Sequence, residues 1–210
     1  MLATRSSVVA RGAVVLSIVA LALAGCGAPV KPPTSYGKWT PKESIFHVDH
    51  PEGWKTDGGG KGSTLQWVRF SKGGVMIHGS TDVSTSLMGD ISSSMNNLGG
   101  GDEGLTQEQL EERAPVHSAH TFNLKKVDPD EYGGYKEEGK PIKFTAPISE
   151  GRKSVFTARV GAGKKVKGYR ATLLAQNNGI TFYCYCSEKN FEKFRPAFDK
   201  ILESVSHGGA

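Results

Sequence analysis

The last third of the chain constrains the fold more than any other part. Ser154–Val160, Val166–Gln176 and Ile180–Cys186 are runs rich in β-branched and aromatic residues. They are separated by Gly161-Ala162-Gly163-Lys164-Lys165 and by Asn178-Gly179. Asn-Gly between two apolar runs signals a tight hairpin, because both turn residues must take φ > 0. Successive hairpins of this kind predict an antiparallel meander. In the last run Ile180, Phe182, Cys184 and Cys186 fall on one face, and Tyr183 and Tyr185 on the other. Side chains alternate along a strand, so a run that is apolar or aromatic on both faces predicts a central strand covered on both sides.

Similar grammar opens the domain. Ile45-Phe46-His47-Val48 stops at Pro51-Glu52-Gly53, and Leu65–Phe70 and Val75–His78 flank Ser71-Lys72-Gly73-Gly74, a second hairpin. Helical patterns lie between the two sets of strands. Leu87, Ile91, Met95 and Leu98 form one apolar stripe at i, i+4, i+8 and i+11. Thr106-Gln107-Glu108-Gln109 fits a capping box, with Leu105 and Leu110 as its hydrophobic staple. Pro115 ends that helix and starts the next, whose stripe is Val116, Ala119, Asn123 and Val127. Phe191, Phe194, Phe198, Ile201, Leu202 and Val205 recur at helical spacing around Pro196, where the main C-terminal helix is expected to begin. Strands, helices, strands and a helix in that order predict an α+β fold, an antiparallel β-sheet flanked by helices.

The N-terminus addresses location. Arg5 and Arg11 precede an apolar run from Gly12 to Ala24, too short to span a bilayer about 30 Å thick as a helix and of the form of a secretory signal peptide. The run ends in Leu23-Ala24-Gly25-Cys26, which resembles the bacterial lipoprotein lipobox. That resemblance implies cleavage after residue 25, a diacylglycerol on Cys26, and attachment to the cell membrane or outer membrane facing the periplasm or the exterior. Several acyl chains on one residue make a lasting anchor, since each buried CH₂ contributes about 0.8 kcal/mol. The expected organisation is a signal peptide over 1–25, a lipidated Cys26 and Pro/Lys-rich tether over 26–43, one α+β domain over 44–205, and a frayed tail over 206–210. Removing 1–25 takes two arginines and no acid from the 26 basic and 21 acidic residues, leaving a net charge of +3. This is no nucleic-acid footprint.

Two segments carry a family resemblance. Phe46-His47-Val48-Asp49-His50-Pro51-Glu52-Gly53-Trp54 resembles the opening strand and turn of PsbP-like domains. Cys186–Ser204, with Asn190-Phe191-Glu192-Lys193-Phe194-Arg195-Pro196 at its centre, resembles their closing strand and helix. The resemblance implies an antiparallel sheet between helical layers, an α/β/α sandwich. It implies no enzyme, because members of that family act by binding other macromolecules. Residues 84–150 match nothing in it, and partner choice is expected to reside there.

The residues that could carry chemistry argue the same way. Cys184 and Cys186 sit at i and i+2 of a strand, roughly 6.6–6.8 Å apart with parallel side chains, too far for a disulfide, so they are expected to be two buried thiols. His117 and His120 at i and i+3 could share a helix face and hold a metal, but solvated or hydrogen-bonded histidines are the expectation. The glycine loops at 58–62 and 161–165 lack the P-loop pattern, and no G-x-S-x-G is present. Residues 151–170 hold Arg152, Lys153, Arg159, Lys164, Lys165, Lys167 and Arg170 without one acid, a candidate docking surface for an anionic headgroup, polymer or acidic partner. The chain therefore reads as a membrane-tethered, non-catalytic interaction module without a cofactor, engaging an envelope protein and no nucleic acid. The alternative is a small-ligand or metal carrier using the sheet face near Tyr183 and Tyr185, or His117 and His120.

Overall fold

A computed structural model describes residues 30–60, 65–98, 104–175 and 177–209, with the side chains of 96–98 excepted. The leader, Cys26, the first part of the tether and residues 61–62 of the glycine loop at 58–62 lie outside the described residues, as does the Leu98 side chain. In chain order the elements are β1 (Tyr36–Trp39), β2 (Phe46–Pro51), β3 (Lys55–Gly59), β4 (Trp67–Lys72), β5 (Val75–Asp82), α1 (Val83–Leu98), α2 (Gln107–Arg113), α3 (Pro115–Leu124), β6 (Gly133–Thr145), β7 (Glu150–Val160), β8 (Lys164–Ala175), β9 (Asn178–Ser187), α4 (Phe191–Glu203) and β10 (Ser206–His207).

The fold is α+β. Seven strands form one sheet in the order β3-β4-β5-β9-β8-β7-β6, and every neighbouring pair is antiparallel. β9 is the middle strand, as its two apolar faces predict. Helices α1 and α3 pack on one face, across β7, β8 and β9. Helix α4 covers the other face with the small sheet β1-β2-β10 beside it. Phe46 of β2 meets Phe182 of β9 edge to face at 5.6 Å, and Tyr169 of β8 meets Phe191 of α4 at 5.4 Å. The antiparallel sheet between helices is the architecture expected from the strand and helix order.

Local signals decide several boundaries. The capping box forms: Gln109 N–H donates to Thr106 Oγ1 at 3.3 Å, and Thr106 N–H donates to Gln109 Oε1 at 2.8 Å. Pro115 occupies the first turn of α3, where its missing N–H costs nothing. Other boundaries differ from expectation. The C-terminal helix begins at Phe191 and carries Pro196 inside it. An internal proline costs about 3 kcal/mol, and burial of Phe191, Phe194, Ala197, Phe198, Ile201 and Leu202 along one face offsets that cost. The register pairs Ala175 with Asn178, so the reversal precedes Asn178 and Gly179 lies within β9. A Cβ at Gly179 would collide with the Thr85 side chain of α1, so this glycine serves the close approach of a helix.

Two segments assigned to the tether and tail belong to the domain: Tyr36–Trp39 and Ser206–His207 pair with opposite edges of β2. Strand β6 carries no apolar alternation and contains Pro141, so periodicity does not reveal it. It is an edge strand, where a proline and exposed charges are tolerated and discourage further pairing. Helix α1 forms where its stripe predicts, but with the stripe outward. Leu87, Ile91 and Met95 are 56%, 42% and 67% exposed, while Thr85, Ser86 and Gly89 face the protein.

Candidate functional site

The seven cations of 151–170 do not form one surface. Along β7, Ser154 turns toward α3, so Arg152 shares that face and Lys153 points to the α4 side. Arg152 is 2% exposed, donates to Glu150 Oε1 at 2.5 Å, and reaches the Glu111 carbonyl of α2 at 3.4 Å. Arg170 is 0% exposed; its Nε donates to Glu137 Oε1 at 2.6 Å and one terminal nitrogen to the His120 carbonyl at 2.7 Å. Lys153 is buried, donates to Asp199 of α4 at 2.6 Å, and lies 5.0 Å from the Tyr169 ring centroid. These three therefore leave the expected docking surface. They are buried on β7 and β8 beneath the helices, where a charge persists only when paired. Lys167 is paired as well, with Glu138 at 2.7 Å. Arg159, Lys164 and Lys165 remain, exposed at the β7–β8 hairpin tip and, among the described residues, without a carboxylate partner.

Two clefts flank this end of the sheet. One, of about 340 Å³, is lined by Gly133, Gly134, Thr157, Arg159, Lys165 and Glu188. The other, of about 410 Å³, is lined by Arg69, His78, Asp130, Glu131, Tyr132 and Tyr185. Burial, reinforced by Arg69, lowers the His78 pKa, and Glu131 opposes the shift. The sheet face around Tyr183 and Tyr185 is filled by the chain itself. Tyr132 stacks on Tyr183 at 4.9 Å, and Phe156 and Tyr135 complete the cluster at 6.1 and 5.0 Å centroid separations. Burial pushes the Tyr183 phenol up to about 12.

The histidine pair is split by burial. His120 is 1% exposed, with Nδ1 3.0 Å from Thr172 Oγ1 and Nε2 2.8 Å from Ser154 Oγ. Both ring nitrogens are thus engaged by hydroxyls, and the imidazole is not free to ligate beside His117. Burial lowers the His120 pKa to about 2, with Arg170, His117 and Arg152 adding repulsion. Among the described residues no group of three or more His, Cys, Asp or Glu side chains is placed to hold a metal.

His120 belongs to a polar layer that periodicity did not expose. Thr85 Oγ1 donates to Asn123 Oδ1 at 2.5 Å, and Asn123 Nδ2 donates to Thr181 Oγ1 at 2.8 Å and Thr172 Oγ1 at 3.3 Å. Its sequence signal was an asparagine inside an apolar helix stripe, answered by threonines on the helix-facing positions of β8 and β9. Satisfied networks of this kind fix one arrangement of the elements they join.

Cys184 and Cys186 are free, buried and on one face, as their spacing predicts. Burial pushes the Cys184 thiol well up and the Cys186 thiol up to about 11. Thiolate, the reactive form, is scarce in both at neutral pH.

The outward stripe of α1 completes the surface. Val83, Leu87, Ile91 and Met95 recur every four residues on a helix without a lysine or arginine. Among the described residues no helix is long and apolar enough to cross a membrane.

Several solved structures are similar to this chain, among them these three. One is the solution structure of cyanobacterial PsbP (CyanoP) from Synechocystis sp. PCC 6803, at 13% identity and a TM-score of 0.46, covering 89% of this chain and 99% of that one. A protein of unknown function from Pseudomonas aeruginosa, PA94, is similar at 9% identity and a TM-score of 0.42, covering 83% and 99%. LpqN, involved in cell envelope biogenesis of Mycobacterium tuberculosis, is similar at 12% identity and a TM-score of 0.30, covering 87% and 90%. A PsbP structure is thus among them, the family to which the two ends of the domain were likened. No family model matches the sequence, and no curated protein does. At these identities no activity, ligand or partner is carried over.

Proposed function

We propose that this chain is a lipid-tethered, non-catalytic interaction module of the bacterial envelope, and that it docks an envelope protein through α1. The observation that carries the reading is the outward stripe of Val83, Leu87, Ile91 and Met95. Contiguous exposed apolar surface marks an interaction site more often than scattered residues do. The occupant is a protein groove and not a bilayer: α1 has no basic residue to meet anionic headgroups and carries Asp90, whereas interfacial helices rely on Lys and Arg. Reading the stripe as i, i+4, i+8 and i+12 anchors makes it a helix-in-groove contact. Buried thiols with raised pKa values and a histidine held by two hydroxyls support a module without a reactive side chain in its core. The lipobox-like Cys26 supports the tether, and its test is fractionation of Cys26→Ser, which is expected to leave the membrane.

The docking test is photo-crosslinking in native membranes with a probe at Leu87 or Met95. The expected result is one discrete protein adduct, identified by mass spectrometry, that disappears in Leu87→Asp/Ile91→Asp without loss of thermal stability. A probe at Lys164 serves as the control. Adducts that are absent, or the same at all three positions, would refute the reading.

A further inference from the structure

The cleft at the β7–β8 tip has no part in docking through α1. Thr157 and Arg159 lie on the sheet face opposite Ser154, and α3 packs against the Ser154 face. The register places Arg159 directly across from Lys165. Cross-strand partners hold their Cβ atoms about 4.5–5.5 Å apart, and like charges there are destabilising. Elsewhere in 151–170 the chain neutralises every cation but Lys164: Arg152 with Glu150, Lys153 with Asp199, Lys167 with Glu138 and Arg170 with Glu137. Arg159 and Lys165 have no such partner among the described residues, yet both line a cleft of about 340 Å³. On the other side of Arg159 the register partner is Gly133. Gly133 and Gly134 give that wall backbone groups and no side chain, and Thr157 adds a hydroxyl.

We propose that this cleft binds a phosphate ester, with the phosphate oxygens held between the Arg159 guanidinium and the Lys165 ammonium. The charge arithmetic selects phosphate over carboxylate. Two adjacent cations are matched by a monoester carrying about −1.5 to −2 near neutral pH, whereas one carboxylate leaves half the repulsion standing. The guanidinium fork suits two phosphate oxygens at once. Glu188 also lines the cleft. Its carboxylate disfavours further negative charge and favours an amine on the ester arm, so phosphoethanolamine is the better ligand than bare phosphate. A phosphate monoester reaches the cleft from a soluble ester or from the headgroup of a phosphatidic acid.

The test uses the full chain in a phosphate-free maltoside detergent at low ionic strength, titrated calorimetrically. The probes are inorganic phosphate, O-phosphoethanolamine and dihexanoyl phosphatidic acid, whose headgroup is a monoester. Saturable one-to-one binding is expected, with a dissociation constant on the order of 1 mM or below that weakens as salt is raised. Arg159→Ala/Lys165→Ala should lower affinity at least about tenfold, while Lys164→Ala, outside the cleft lining, changes it less than about twofold. Glu188→Gln should erase the preference for the amine-bearing ester. Binding of the lipid alone assigns the source to a headgroup, and binding of the soluble ester alone to a free metabolite. Both outcomes support the site when the double variant abolishes them. No saturable binding by any probe, or binding unchanged in Arg159→Ala/Lys165→Ala, overturns it. Leu87→Asp/Ile91→Asp should leave all three titrations unaltered, so failure of the phosphate site and failure of the docking face read out separately.

Discussion

Replacing His120 by glutamine should convert an acid-sensitive interior into an acid-tolerant one. The imidazole is 1% exposed between Ser154 and Thr172, and its pKa falls from 6.5 to about 2 in the fold. Burial is the main cause; the Arg170 and Arg152 guanidiniums and His117 add to it. Because the folded value lies below the unfolded one, the native state binds fewer protons than the unfolded state between these limits. Stability is therefore intact above about pH 6.5 and is lost as pH falls toward 2. The slope is about 1.4 kcal/mol per pH unit, so this group alone removes about 2.7 kcal/mol by about pH 4.5. Glutamine does not titrate. It forfeits part of the hydrogen bonding, about 1–2 kcal/mol at neutral pH. Urea unfolding of both proteins between about pH 7.5 and 4.5 should give curves that cross, the variant less stable at the neutral end and more stable at the acid end. The His78 and His117 values are also lowered, but both proteins retain those groups, so the difference in slope isolates His120. Parallel stability curves would refute the reasoning.

Asp199→Ala strands Lys153, whose side chain is 9% exposed, and should cost about 3 kcal/mol in urea unfolding; adding Lys153→Met should recover most of it, and additive losses in the double variant would contradict the pairing. Gly168→Ala places a methyl group against the Cys184 carbonyl and the Tyr185 backbone, so its melting temperature should drop by the equivalent of about 3 kcal/mol; an unchanged melt would count against the β8–β9 register. A thiol reagent should leave Cys184 and Cys186 unlabelled over a period that suffices to label both in urea, given their burial and raised pKa values; prompt native labelling of either would contradict the packing of α4 on β9.

Legibility followed the range of the interaction. The capping box at Thr106, the first-turn proline at 115 and the hairpin between β4 and β5 rest on groups a few residues apart, and all appear where the chain order places them. The two-faced apolar pattern of Ile180–Cys186 announced a central strand because alternation is a property of the strand alone. The reversal near Asn178 was off by two residues because Gly179 answers to Thr85, nearly a hundred positions away. The candidate site was less legible. Cys184 and Cys186 were placed correctly, but seven cations close in sequence were divided by alternation and burial into an ion-paired interior and a bare hairpin tip.

By itself, then, the sequence determined the antiparallel meander, the starts of α2 and α3 and the strand that lies at the centre, since turn chemistry and periodicity are local. Tertiary structure alone decided which side of α1 faces inward. The apolar stripe predicted a core face, but Thr85 finds Asn123 at 2.5 Å and Ser92 finds Ser118 at 2.6 Å, so the helix turns its hydroxyls in and its aliphatic side chains out. It likewise decided which cations meet water. Whether Arg170 is a surface charge or a buried one depends on Glu137, thirty-three residues earlier on another strand, and no window along the chain contains that pairing.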